Sequence, residues 1–163
     1  MRYVMRQKLL AWGNDFTIRD ETGSDVYAVD GRAISVGNKA SIHDMDGNEV
    51  AFISQKFLSL VPTYEITCGG VLVAVVKRDL FKFFHHTFTV DVPGPDDLVA
   101  VGDLMDHEYA FTRGETPVAH VSKQWFTIAD TYGVDVGPGE DPVVILAIAV
   151  VVDLVCHDHR KRR

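Results

Sequence analysis

Few stretches of this chain combine residue types that do chemistry. The richest runs from Lys77 to His86, where Lys77, Arg78 and Lys82 are interleaved with Leu80, Phe81, Phe83 and Phe84 and followed by His85 and His86. Cations set among aromatics suit contact with an anionic lipid head group or a protein partner. The plainer alternative is a strand pair whose aromatics enter the core while the cations stay in water. Lys77, Arg78, Lys82, His85 and His86 are therefore the candidate lipid- or partner-binding residues.

Other combinations carry weaker signals. Asp44-Met45-Asp46-Gly47-Asn48-Glu49 has the acidic look of a calcium loop. An EF-hand, however, needs glycine at its sixth position and glutamate at its twelfth. Here glycine stands fourth and Gln55 twelfth, so an Asp-Gly hairpin turn explains the segment better. Cys156, His157 and His159 could supply metal ligands with His85 or His86, but no second Cys/His pair stands at finger-like spacing. Ser35, Ser54, Ser59 and Ser122 lack the G-x-S-x-G context of a nucleophile elbow. Gly69-Gly70 lies between strand-like runs and Gly137-Pro138-Gly139 reads as a linker, so neither is a phosphate loop. We expect no catalytic residues, no metal and no cofactor. An enzyme or small-ligand-binding protein whose site is assembled from distant residues stays the alternative.

The elements that position these residues are mostly short β segments. FTIRD and VYAV flank ETGSD; SIHD and EVAFIS flank Met45 to Asn48; TYEIT, VLVAVV, TFTVDV, LVAV, EYAF, VAHVS, WFTIAD and YGVDV follow. Alternating apolar residues between turn signals predict about twelve strands, and the short connections predict antiparallel pairing. The two halves also match in order. Phe16-Thr17-Ile18 corresponds to Phe88-Thr89-Val90 and Ala28-Val29 to Ala100-Val101. The segment Val50 to Ser54 corresponds to Val118 to Ser122, Phe57 to Trp125, and Thr63-Tyr64 to Thr131-Tyr132. Two similar meanders closing on each other would give a barrel without exposed edges.

The last segment, EDPVVILAIAVVVDLVCHDHRKRR, fixes what fills such a barrel. Val143 to Val152 is too short to span a bilayer, which takes about 20 apolar residues. Asp141 followed by Pro142 is a helix opening, with a side-chain acceptor at the cap and an imino residue at the first turn. The predicted helix covers about 142–157, roughly 24 Å at about 1.5 Å per residue. Apolar on every face through Val152, it must be buried on every face. A twelve-stranded lumen has room for it, with Ala147 and Ala149 easing the fit. Asp153 and the basic tail, 158–163, are expected near the mouth, where water reaches a charge.

Composition sets the outer bounds. At 163 residues the chain suits one domain, 1–163. A formal charge of −7 argues against a general nucleic-acid partner. Two cysteines and an N-terminus without a signal-like apolar stretch predict a cytoplasmic protein.

YVMRQKLLAWGNDFTIRDETGSDVYAVDG, DMDGNEVAFISQKFLSLVPTYEI and the apolar C-terminal helix together resemble the LURP-one-related family. The resemblance implies a tubby-like C-terminal fold: a mainly β, closed antiparallel barrel of twelve strands around a central hydrophobic helix, shared distantly with phospholipid scramblases. Those distant relations imply membrane-linked or phosphoinositide-linked roles elsewhere in the superfamily, while the short members that this chain resembles carry no established activity to transfer. The basic phosphoinositide-binding cluster of tubby proteins and the calcium-binding segment of scramblases have no match here. The resulting expectation is a non-catalytic binding or scaffolding module acting at a membrane surface or on a protein partner.

Overall fold

The computed structural model describes residues 1–6, 15–31, 38–79, 87–94, 97–127 and 131–161. Twelve strands form one closed sheet, β1 Arg2–Arg6, β2 Phe16–Asp20, β3 Asp25–Asp30, β4 Lys39–Asp44, β5 Glu49–Gln55, β6 Thr63–Cys68, β7 Val71–Asp79, β8 Thr87–Asp91, β9 Leu98–Asp103, β10 Glu108–Arg113, β11 Thr116–Ser122 and β12 Thr131–Val136. Every strand pairs antiparallel with its neighbours in sequence, and β1 closes the ring against β12 from Arg2↔Asp135 to Arg6↔Thr131. The matched stretches of the two halves lie on strands six apart, β2 with β8, β3 with β9, β5 with β11 and β6 with β12.

Alternation along each strand sends every second side chain inward. Ile18, Ile42, Ile53, Ile66, Val76, Val90, Phe111, Val121 and Val134 are all buried, and they face helix α1, Pro142–Lys161. The inward wall also carries Ala40, Ala51, Ala74, Ala100 and Ala119. Small side chains on the wall, with Ala147 and Ala149 on the helix, let a rod about 10 Å wide fit inside the ring. Ile145 to Val152 are buried on all sides, as the uniformly apolar run requires. The helix opens as expected: the Val143 and Val144 N–H groups donate to Asp141 Oδ1 at 2.9 and 3.4 Å. It runs four residues past His157, so the tail begins as helix. Among the described residues no helix is long and apolar enough to cross a membrane.

The strand directions give the barrel two unlike rims. The closed rim carries the tight connections 21–24, 45–48, 69–70 and 114–115, and the helix enters there. At the Asp44 hairpin, one carboxylate oxygen accepts from the Asp46 and Asn48 N–H groups at 3.0 and 2.9 Å, while Gly47 takes a φ of 87°. That oxygen is used in making the turn, which is the chemistry the calcium-like string performs. Arg113, ending β10, donates from both terminal nitrogens to Glu140, just before the helix cap. The other rim carries, among the described residues, the connections 56–62 and 104–107, and the helix ends toward it; we call it the open rim.

Two expectations need correction. WFTIAD, expected as a strand, forms none over Trp125 to Thr127, and the twelfth strand is instead β1 at the N-terminus, outside the predicted set. Asp153 lies toward the open rim, yet water does not meet its charge: it is 4% exposed and bonded to the His107 imidazole. His107 sits in the β9–β10 turn with a φ of 55°. That left-handed backbone, uncommon for a residue with a side chain, aims the ring inward.

Candidate functional site

Strand β7 positions the first two candidate residues, and its pleat separates them. Ala74 and Val76 face the core, so Arg78 continues the inward row toward the rim while Lys77 lies on the outer wall. Lys77 Nζ donates to Asp91 Oδ2 on β8 at 2.8 Å, so its charge is already paired. The Arg78 N–H donates to the Pro62 carbonyl at 3.1 Å, tying the end of β7 to the β5–β6 connection. Lys82, His85 and His86 lie outside the described residues.

The structure instead brings Lys77 beside a feature the sequence did not single out. Between β5 and β6 the chain turns outward, held by the Lys56 N–H donating to the Thr63 carbonyl at 2.9 Å. The turn presents Phe57, Leu58 and Leu60 at 59%, 102% and 100% exposure. Large apolar side chains grouped this way differ from the scattered apolar residues of an ordinary surface. Against them runs a groove of about 680 Å³, with Phe57, Leu58 and Val75 as apolar lining and Thr63, Lys77 and Asp91 as polar lining. Lys56 is paired as well, 3.1 Å from Glu65 Oε1. The arrangement can anchor an apolar group between two ion pairs that exchange with water.

A second polar group lies inside the barrel. His107 stacks on Tyr132, ring centroids 4.5 Å apart, and bonds Asp153 across the core. Burial, reinforced by the negative Asp153, pushes the Tyr109 and Tyr132 phenols well above their ordinary range. The Tyr109 hydroxyl and Asp153 Oδ2 have no hydrogen-bond partner. The pair joins the helix to the β9–β10 turn, and its chemistry as placed is to pin the plug. Cys156 is buried nearby on the helix; among the described residues no three His, Cys, Asp or Glu side chains converge as a metal site would need.

A closed antiparallel barrel plugged by its own C-terminal helix defines the fold class. The sequence model of the LURP-one-related family matches residues 1–153. The chain is also similar to YxjI, an uncharacterised protein of Bacillus subtilis, with 32% identity over 158 residues, 94% of this chain and 93% of that one. A solved structure from Arabidopsis thaliana superposes with a TM-score of 0.68 over 94% of this chain and 91% of that chain, at 18% identity, a likeness of fold alone. The chain belongs to the LURP-one-related family.

Proposed function

We propose that the protein is a cytoplasmic, non-catalytic binding module that docks a protein partner through the open-rim surface of Phe57, Leu58 and Leu60. The observation that carries this reading is the full exposure of Leu58 and Leu60 beside a groove. Burying three such side chains gives about 5–9 kcal/mol gross, at about 1.5–3 each. That is enough for a weak to moderate complex once association costs are met. The second reading, an anionic membrane surface, is favoured by the basic-aromatic segment that begins at Lys77 on this rim. The paired Lys56 and Lys77 and the net charge of −7 oppose it, so such contact would be weak and salt-sensitive.

Affinity capture from extract of the source cells, comparing wild type with Leu58→Ser/Leu60→Ser, tests the choice. We expect one or a few proteins held by the wild type and released by the variant. Identical captured sets would overturn the docking surface. Liposome co-sedimentation at low salt, about one pH unit either side of the histidine reference value near 6.5, tests the membrane reading. Pelleting only with anionic vesicles, lost in the double variant, would replace the protein partner with a lipid one. Turnover of a hydrolase or phosphatase substrate, abolished by a single carboxylate or histidine substitution, would overturn the non-catalytic part.

A further inference from the structure

The barrel's seam carries a second site, independent of the rim. β1 and β2 pair only through Tyr3↔Asp20 and Val4↔Arg19, whereas β1 holds β12 along its whole length. Beyond Val4↔Arg19, toward the open rim, the two strands form no further ladder pair among the described residues. The outer wall opens along this seam into a cleft of about 280 Å³, lined by Val4, Arg6, Thr17, Arg19, Phe126 and Thr131 and, at its closed-rim end, by the hairpin of Asp20, Glu21 and Gly23. Its size is at the low end for small-molecule sites, about 300–1,000 Å³, and suits a ligand of one ring.

The polar lining is unevenly committed. Arg19 Nε donates to Asp25 Oδ1 at 2.8 Å, and Thr17 donates to the same oxygen at 3.3 Å. Asp20, at the mouth, accepts from Thr22 and Ser24 of its own hairpin. Arg6 is exposed and forms no ion pair among the described residues. Thr131, its cross-strand neighbour, is 6% exposed, and its buried hydroxyl has no partner. A buried hydroxyl left unbonded is costly, so an acceptor supplied from the cleft would be welcome. Phe126 lies over Gly133, where an added Cβ would come within 2.9 Å of the ring, so the glycine sets how closely the ring approaches the sheet. Phe126 and Val4 then give the cleft an apolar side.

We propose that this seam cleft binds a small carboxylate with an aromatic or apolar body. The Arg6 guanidinium would donate its planar fork to the two carboxylate oxygens, as that geometry favours. The Thr131 hydroxyl would donate to one of them, and the ring would lie against Phe126. Arg6, without an ion pair among the described residues, offers one positive charge, and the lining carboxylates Asp20 and Glu21 limit the cleft to a singly charged anion at most. Glu21 at the mouth and a net charge of −7 disfavour phosphate and other multiply charged anions.

Amide-resolved NMR titration at ordinary salt tests the assignment, with benzoate as the probe, benzamide as its uncharged analogue and inorganic phosphate as the competing anion. We expect saturable benzoate shifts at Val4, Thr17, Phe126 and Thr131 with a Kd of about 1 mM or tighter. Benzamide and phosphate should bind at least about tenfold more weakly, the loss expected for one charge-assisted pair. Arg6→Gln should weaken benzoate by a similar factor with an unchanged melting temperature, and Thr131→Val by severalfold. Non-saturating shifts, benzamide or phosphate as good as benzoate, or full benzoate affinity in Arg6→Gln would each overturn the proposal.

Discussion

The two rims of the barrel follow opposite rules. At the closed rim the polar groups of the hairpins 21–24 and 45–48 and of the helix start are spent on themselves: Asp20 and Asp44 each cap their own hairpin, Asp141 caps the helix, and Arg113 holds Glu140. Apolar side chains exposed there, Met1, Met45, Val71 and Leu72, are divided between the N-terminus and two separate hairpins. At the open rim the connection 56–62 brings Phe57, Leu58 and Leu60 to water together. The fold is held at one end and offers surface at the other. The helix links them, and His107 with Asp153 is where the open rim takes hold of the helix.

Removing the link has the largest expected effect. Leu146 is 1% exposed within the apolar run Val143 to Val152, surrounded by the wall. Leu146→Asp loses the packing of a core leucine, about 2–5 kcal/mol, and adds an uncompensated buried charge. Together these reach the whole stability of an ordinary domain, about 5–15 kcal/mol. We expect no cooperative thermal transition for this variant. A wild-type-like melt would show that the barrel stands without its plug, and the rims would then be independent.

The next effect tests whether the open rim contributes to holding the helix. His107→Ala leaves Asp153 buried and without its partner, a loss of about 3–5 kcal/mol. In a domain of this size that lowers the melting temperature by about 6–20 °C. Adding Asp153→Leu removes the stranded charge, so the double variant should be more stable than His107→Ala alone. A His107→Ala melt within about 2 °C of wild type would mean that the pair is incidental.

These two variants also separate what sequence reading reaches from what it misses. The plug was legible because its signal is local: ten uncharged apolar residues after Asp141-Pro142 have no face to give to water. The hairpin at Asp44 to Asn48 was legible for the same reason, since turn chemistry lies within a few residues. The partner of Asp153 was not, because His107 is 46 residues away and only barrel closure brings it inward. The exposed apolar group was missed because Phe57, Leu58 and Leu60 look like any apolar stretch at a strand end. Whether such residues face in or out depends on where the neighbouring strands stop. Pairing was hidden too: Lys77 and Arg78 are adjacent in sequence but leave β7 on opposite sides, and Asp91 neutralises the outer one.

The smallest effect is the one that divides the rims most sharply. Asp141→Ala, at the closed rim, deletes the acceptor for two helix N–H groups and should lower stability by about 1 kcal/mol, within about 0.5–2. Leu58→Ser/Leu60→Ser, at the open rim, replaces two side chains that touch little of their own molecule and should stay within about 0.5 kcal/mol of wild type. Urea midpoints at constant slope measure both. The order matters more than either value, because two leucines are far larger than one carboxylate and would dominate if they were core. If the leucine variant proves the less stable, the loop packs against the barrel in solution and the open rim is another part of the scaffold. If the cap variant alone shifts, stability and exposed apolar surface belong to opposite ends, and the leucines serve something outside the chain.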